Sequence, residues 1–187
     1  MATPKAPILI SIFLTFFLYS PSQVKSQSSS QDICNITCSP SSCSRLITAK
    51  NLTELMLLNL QWAINNTRGA VQRLNQTLAA TANNLQFQQP LLICMEQYSH
   101  AAAHLELVSS FVQSDPFEAH SELIMANANI FTCQANMNNA GFENDWIAES
   151  NNEFMDFNCV CDTAIDILIN GQPRGGTIQH HQEGGGV

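Results

Sequence analysis

Apolar residues recur at steps of three and four on both sides of the segment Ser114-Asp115-Pro116. This spacing places apolar side chains on one face of a helix, so it predicts two amphipathic helices joined by a short turn. Asp115 can cap the second helix, Pro116 suits its first position because it has no N–H to lose, and Glu118 completes a capping box. The apolar positions are Leu91, Cys94, Tyr98, Ala101, Leu105, Val108 and Val112 before the turn, and Ala119, Leu123, Ala126, Ile130, Cys133 and Met137 after it.

Two more helices are predicted, one from about residue 48 to 84 and one from about residue 144 to 170. Gly69 and the Asn65-Asn66 pair weaken the middle of the earlier helix, which leaves a kink or break open there. Residues 86–90 are interpreted as a connector, and Gly141 as the end of the helix that follows the turn. Because no convincing strand is present in the sequence, we predict an all-α fold, an up-down-up-down four-helix bundle preceded by a small arm.

The N-terminus has the pattern of a secretory signal peptide over residues 1–26: Lys5, an apolar run over residues 8–19, and Val24 and Ser26 at cleavage spacing. That apolar run is too short to span a bilayer comfortably, so no membrane association is predicted after its removal. Residues 27–172 then form one domain, and the glycine-rich residues 173–187 a disordered tail. The predicted location is secreted and extracellular.

Secretion makes disulfides the default state of the seven cysteines. Cys94 lies about as far before the turn as Cys133 lies after it, so antiparallel helices would bring both thiols to the same height. We therefore predict a Cys94–Cys133 bridge. Cys34 and Cys43 enclose a short loop with a turn signal, and a bridge between them is favoured as the closure of the arm.

The other three cysteines are harder to pair. Cys38 is left free or with a distant partner. Cys159 and Cys161 point about 200° apart on a helix, which is poor geometry for a redox or metal pair. Cys161 lies on the core stripe of the last helix, so Cys159 is the candidate partner of Cys38.

Four Asn-X-Thr acceptor sequons support secretion. Two of them lie two heptads apart on the first long helix, so glycans there would coat one face and exclude a tight partner from it. The acceptor residues are Asn35, Asn51, Asn65 and Asn75.

Acidic residues dominate the chain, whose net charge is -8. No lysine or arginine occurs between Leu74 and Pro173. Nucleic acid is thus excluded as an expected partner. Two alternatives stay open: a basic protein partner, because opposite fields steer association, or an acidic surface that only keeps the protein soluble.

No constellation of catalytic residues is found. Glu96, His100 and His104 follow one another at steps of four, a spacing that can gather metal ligands, but no HExxH arrangement or fourth ligand accompanies them. The histidines are therefore interpreted as the flank of a helix. With no nucleophile elbow and no phosphate-binding glycine loop, we predict no catalytic residue, cofactor or metal, and a binding module instead of an enzyme.

The order and spacing of four cysteines, with a signal peptide, resembles the plant invertase and pectin methylesterase inhibitor family. The resemblance covers nearly the whole mature chain. The segments that carry it are Cys34-x8-Cys43 with a Thr and a Pro between, Cys94-Met95-Glu96-Gln97-Tyr98, Thr132-Cys133, Gly141-Phe142-Glu143 and Ala164-Ile165-Asp166-Ile167-Leu168.

This resemblance implies a four-helix bundle with an N-terminal helical hairpin arm, and disulfides that pair the first with the second and the third with the fourth of those cysteines. It also implies inhibition of a secreted cell-wall enzyme by a one-to-one complex that obstructs the active site. Invertase inhibitors of the family carry Pro-Lys-Phe in the loop between bundle helices two and three, where this chain has Pro116-Phe117 without the lysine. We therefore favour pectin methylesterase as the target.

Two alternatives remain, an acid invertase inhibitor and a non-inhibitory extracellular helical binding protein. A lipid-transfer protein is disfavoured, because the adjacent cysteine pair typical of that class is missing. Since the sequons lie on the first long helix and the acidic faces on the later ones, the partner surface is expected on helices two to four. Its expected residues are Glu106, Asp115, Pro116, Phe117, Glu118 and Glu122.

Overall fold

The computed structural model describes residues 34–44, 49–142 and 144–171. The predicted signal peptide (1–26) and tail (173–187) lie outside the described residues, and the domain boundaries stay a prediction. The described chain contains a short helix, α1 (Pro40–Ser44), and four long ones: α2 (Leu52–Ala80), α3 (Leu85–Phe111), α4 (Pro116–Asn139) and α5 (Asp145–Asn170). The predicted all-α bundle is confirmed. No helix within these ranges is long and apolar enough to cross a membrane.

Local capping explains where α2 begins. Oδ1 of Asn51 accepts from the backbone N–H of Glu54 at 2.8 Å, and Oε2 of Glu54 accepts from the N–H of Lys50 at 2.7 Å. The helix is therefore shorter at its start than the sequence suggested. It runs unbroken through Gly69, because the inward positions Ala63, Thr67 and Ala70 keep its core face continuous.

The interpretation of residues 86–90 as a connector is wrong, because α3 begins at Leu85 and contains Pro90. Tertiary contacts hold this first turn: the ring of Phe87 packs edge-on against Phe142 at 4.7 Å, and Nε2 of Gln86 donates to the carbonyl of Ala140 at 3.3 Å. A proline this close to a helix start removes one backbone donor, and these contacts with the end of α4 offset that loss.

The turn before α4 has the predicted cap and proline but no reciprocal bond of a capping box, because the N–H of Asp115 donates to the carbonyl of Phe111 at 2.7 Å. Oδ1 of Asp115 accepts from the N–H of Glu118 at 3.1 Å, and Pro116 occupies the first helical position. Two glycines follow the ends of the last two helices in the left-handed conformation: Gly141 with φ +62° and Gly171 with φ +72°. A side chain would be strained there, so glycine suits both positions.

The long helices alternate in direction, each packs on its neighbour in the chain, and α5 closes the ring against α2. One contact crosses the ring diagonally. The hydroxyl of Tyr98, in α3, donates to Oδ1 of Asn151, in α5, at 2.5 Å, and both residues are buried. This hydrogen bond satisfies two polar groups that would otherwise be costly in the core.

Three disulfides tie the bundle and its arm. The bridge Cys94–Cys133 joins α3 to α4 with a Cα–Cα distance of 4.4 Å, and Cys34–Cys43 closes the arm at 5.2 Å. The bridge Cys38–Cys159 fastens the arm to α5 at 5.8 Å. These are the two pairings expected from the sequence and the candidate partner of Cys38. The seventh cysteine, Cys161, is a buried free thiol.

Candidate functional site

The outward face of α4 is apolar. Four large side chains are about half or more exposed: Phe117 (68%), Ile124 (54%), Met125 (50%) and Phe131 (50%). Phe117, Ile124 and Phe131 are seven residues apart, so they form a line along two-turn intervals of the helix. We call these four residues the apolar stripe. The outward face of a bundle helix is normally polar, so a continuous apolar face indicates a surface that another molecule covers.

Most of this surface is free of charge, and the exposed acid Glu118 lies beside its first residue, Phe117. From Leu123 to Asn139 the chain has no charged residue. Between Ser121 and Ala135 the other exposed positions are small and uncharged, namely Ser121, Ala128, Thr132 and Ala135. A partner can therefore bury Ile124, Met125 and Phe131 without desolvating a charged neighbour in this span, and desolvation of charge is a large penalty in forming an interface.

Hydrogen bonds hold α4 on both flanks. Nδ1 of His104, in α3, donates to Oε2 of Glu122 at 2.5 Å. On the other flank Nε2 of His120 donates to Oδ1 of Asp162, in α5, at 2.9 Å. With the Cys94–Cys133 bridge, these contacts fix the position of α4, so little ordering remains to be done when a partner binds.

The six residues expected to bind a partner fall into two groups, and four of them lie together at one end of α4. Asp115, Pro116, Phe117 and Glu118 lie together at the start of α4, where Phe117 begins the apolar stripe and Glu118 is exposed beside it. The carboxylate of Asp115 is used as the helix cap. At this end the structure brings together an acidic and an apolar surface.

The other two expected residues have partners within the bundle. Glu122 is only 17% exposed at its side chain and is held by His104. Glu106 is exposed but pairs with Arg68 of α2, on the flank of α3 that faces away from α4. The periodicity of a single helix cannot predict these two partners, because each partner lies on a different helix.

Sequence reasoning missed Ile124, Met125 and Phe131. The signal was present: a second apolar series at seven-residue spacing, out of phase with the core series of α4. The buried series accounts for the core face of α4, and the exposed series has no role in the core. Two apolar series on one helix indicate one face for the core and one for a partner.

The four sequon asparagines are exposed: Asn35, Asn51, Asn65 and Asn75. Three of them lie on α2 or cap it. Because α2 and α4 occupy opposite corners of the ring, glycans on α2 would leave the apolar stripe free.

The two histidines of α3 are placed differently. His100 is exposed, whereas His104 bonds to Glu122. Across the described residues, His, Cys, Asp and Glu form no group of three that could hold a metal ion.

Comparisons with known proteins agree with this architecture. The chain is similar to the crystal structure of a pectin methylesterase inhibitor from Arabidopsis thaliana, with a TM-score of 0.60 and 16% sequence identity. The match covers 79% of this chain and 97% of that chain. No family model matches the sequence, and no curated protein matches it. At this identity the similarity shows the fold, and function must be argued from the surface.

Proposed function

We propose that this protein is a secreted inhibitor that blocks a cell-wall pectin methylesterase through a one-to-one complex. The observation that supports this most is the apolar stripe of α4, a prepared protein-binding surface on a chain without a catalytic constellation in its described part. The inhibitor of similar fold and the three disulfides, which suit an oxidising compartment, support it further.

The mechanism is obstruction. Helix α4 would lie across the opening of the enzyme's active site with the apolar stripe buried, and substrate would be excluded by volume. The acidic start of α4 would steer a basic rim toward this face, which raises the association rate more than the final affinity. No bond of the inhibitor is made or broken.

The test is an inhibition assay of the oxidised mature protein against a plant pectin methylesterase and an acid invertase, side by side at mildly acidic pH. We expect inhibition of the esterase alone, with a stoichiometry of one to one by titration. A folded protein that leaves the esterase fully active would overturn the proposal.

Acid invertase is the second candidate target. It is favoured by Phe117, which follows Pro116 directly at the turn and is the most exposed residue of the stripe. Inhibition of invertase alone would select it. If neither enzyme responds, a non-inhibitory extracellular binding protein is the remaining interpretation, and the stripe would still have to bind some partner.

Replacing Phe131 or Ile124 by aspartate should weaken the complex by about 10–100-fold, because a charge would be buried against the partner. Both side chains project into solvent, so the melting temperature should stay nearly unchanged. Leu85→Asp is the matched control, since Leu85 is also an exposed apolar residue but lies at the start of α3. Equal losses in Leu85→Asp and Phe131→Asp would contradict the stripe as the binding surface.

Replacing Glu118 by lysine should slow association by about 3–10-fold at low ionic strength and flatten its dependence on salt. Glu118 is preferable to Glu122, whose loss would also break the bond to His104. Glu149→Lys makes the same change in net charge at an exposed position of α5 and serves as control. Association rates from stopped-flow mixing at several salt concentrations provide the measurement, and equal slopes for both variants would count against steering by α4.

A further inference from the structure

A second exposed apolar patch lies on α2 and is not part of the apolar stripe. Trp62 is 38% exposed and Leu58 is 43% exposed. Trp62 lines a small cleft together with Ser150 and Phe154 of α5, and the rest of the residue is exposed to solvent. Exposure of an indole ring to water is unfavourable, so we expect another group to cover this patch.

The sequon at Asn65 lies next to this patch. Residues three apart on a helix are neighbours, with Cβ atoms about 5–6 Å apart, and Asn65 follows Trp62 by three. Helical side chains lean toward the N-terminus, over the preceding turn. Nε2 of Gln61 donates to Oδ1 of Asn65 at 3.3 Å, so the amide does lie back over the turn that carries Trp62.

The atom that would carry a sugar is available. In the described residues Nδ2 of Asn65 takes part in no hydrogen bond, and the side chain is exposed. A sugar on Nδ2 therefore starts above the turn that holds the open part of the tryptophan ring. The apolar face of a pyranose ring, made of C–H groups, can cover an aromatic ring there.

The other sequons lack this neighbour. Three residues before Asn75 lies Gln72, which is exposed and polar. The side chain of Asn51 caps α2, and Asn35 lies in the arm. Among the four sequons, Asn65 is the one with an exposed aromatic ring one turn earlier on its own helix.

We propose that an N-linked glycan on Asn65 folds back along α2 and that its first N-acetylglucosamine covers Trp62 and Leu58. This rests on the secretion that is part of the proposed function. The linkage forms when Nδ2 of Asn65 loses a proton and bonds to C1 of the sugar, and the bond from C1 to a lipid pyrophosphate carrier breaks.

The folded helix hides the sequon from the transferase. Thr67, the hydroxyl residue of the sequon, is buried, and its Oγ1 donates to the carbonyl of Ala63 at 2.7 Å. Transfer must therefore precede the folding of α2, and the glycoprotein has to be obtained by secretion from a eukaryotic cell. It cannot be made by treating the folded protein.

The glycan would cover one of the two apolar surfaces and leave the other open to a partner. It covers the apolar patch of α2, at the corner of the ring opposite α4. The apolar stripe then remains as the main apolar surface open to a protein partner. An unglycosylated protein would present both surfaces and should associate less specifically.

The experiment measures access to Trp62 in the secreted protein. The chain has two tryptophans, so a Trp146→Phe background leaves Trp62 as the fluorophore. Glycans are trimmed with an endoglycosidase that leaves one N-acetylglucosamine, and quenching by acrylamide is measured in the parent, Asn65→Gln and Asn75→Gln proteins. We expect removal of the Asn65 site to raise the quenching constant about twofold, because the open part of the ring is uncovered. Asn75→Gln should not change it.

Two results would overturn the inference: a secreted protein whose peptide map shows Asn65 unmodified, or a fully modified Asn65 with the same quenching constant as Asn65→Gln. Enzyme inhibition is read separately. Shielding of Trp62 in a protein that inhibits no enzyme would reject the proposed function and keep this inference. Inhibition of the esterase by a protein whose Trp62 is not shielded would support the proposed function and reject this inference.

Discussion

Replacing Cys38 and Cys159 together by alanine should lower the free energy of unfolding by about 5 kcal/mol, more than the loss of either other bridge. A disulfide stabilises mainly by restricting the unfolded chain, and the effect grows with the length of the closed loop. This bridge spans 121 residues, against 39 for Cys94–Cys133 and 9 for Cys34–Cys43. It is also the covalent attachment of the arm to the bundle.

Urea unfolding followed by circular dichroism gives the comparison. The double variant Cys34→Ala/Cys43→Ala is the matched control, and its short loop should cost only about 2–3 kcal/mol. Hydrogen exchange should also rise in residues 34–44 of the first variant, because the arm loses its disulfide to α5 and keeps weaker contacts such as the 2.9 Å bond from Ser42 to Asp156. A larger loss in the control variant would show that loop entropy does not govern these bridges.

Much of the bundle could be predicted from local pattern. The series from Cys94 through Tyr98 to Leu105 marks one buried face, and Asp115-Pro116 marks the start of α4 by capping chemistry that involves only nearby residues. Both features depend on a few consecutive turns. Sequence is informative about them because helix formation and capping are local.

The errors come from contacts between distant residues. Pro90 has the properties of a helix breaker, and the contacts of Phe87 with Phe142 and of Gln86 with Ala140 explain why the helix extends past it. Glu122 resembles a solvent-facing acid in its own sequence, yet His104 of α3 takes it as a partner. Such pairs depend on which helices face each other, so a periodicity argument on one helix cannot find them.

The exposed apolar residues of the proposed binding surface are also difficult to predict from the sequence. Phe117 follows from the turn chemistry at Asp115-Pro116, whereas Ile124 and Phe131 have the composition of core residues and carry no local sign of exposure. Their exposure is known only once the opposite face of α4 is seen to fill the core. The identity of the target enzyme is harder still to predict, because it also depends on the shape and charge of the enzyme's own surface.

Raising the pH from 9 to 11 should lower the free energy of unfolding by about 4 kcal/mol, because the folded protein keeps two buried acids neutral. Burial raises the pKa of the Cys161 thiol; the hydrogen bond from Asn59 opposes this and the charge of Asp162 adds to it. Burial also raises the pKa of Tyr98. Ionisation would place an unpaired charge in the core.

The sign follows from proton binding. In the unfolded chain a cysteine ionises near pH 8.5 and a tyrosine near pH 10, about their ordinary values. Above these values the folded state holds more protons than the unfolded state, so the stability is complete at neutral pH and falls as pH rises. Each group contributes at most about 1.4 kcal/mol per pH unit.

Two variants separate the contributions. Cys161→Ala should remove the larger share of the loss between pH 9 and 11, about 2–3 kcal/mol, and Tyr98→Phe about 1 kcal/mol. Tyr98→Phe should also lower stability at pH 7 by about 1–3 kcal/mol, because the buried Oδ1 of Asn151 loses its donor. Cys161→Ala additionally removes the thiolate that could attack the bridges of the unfolded chain.

The composition of the chain makes this titration unusually clean. Beyond residue 26 it contains one tyrosine, Tyr98, and one lysine, Lys50, so few other groups change charge in this range. Tyrosinate absorbance, recorded with helical circular dichroism along the same titration, should appear only as the helices unfold. Absorbance that rises while the helices remain intact would show that Tyr98 ionises in the folded core and would contradict the assignment of the alkaline loss to this residue.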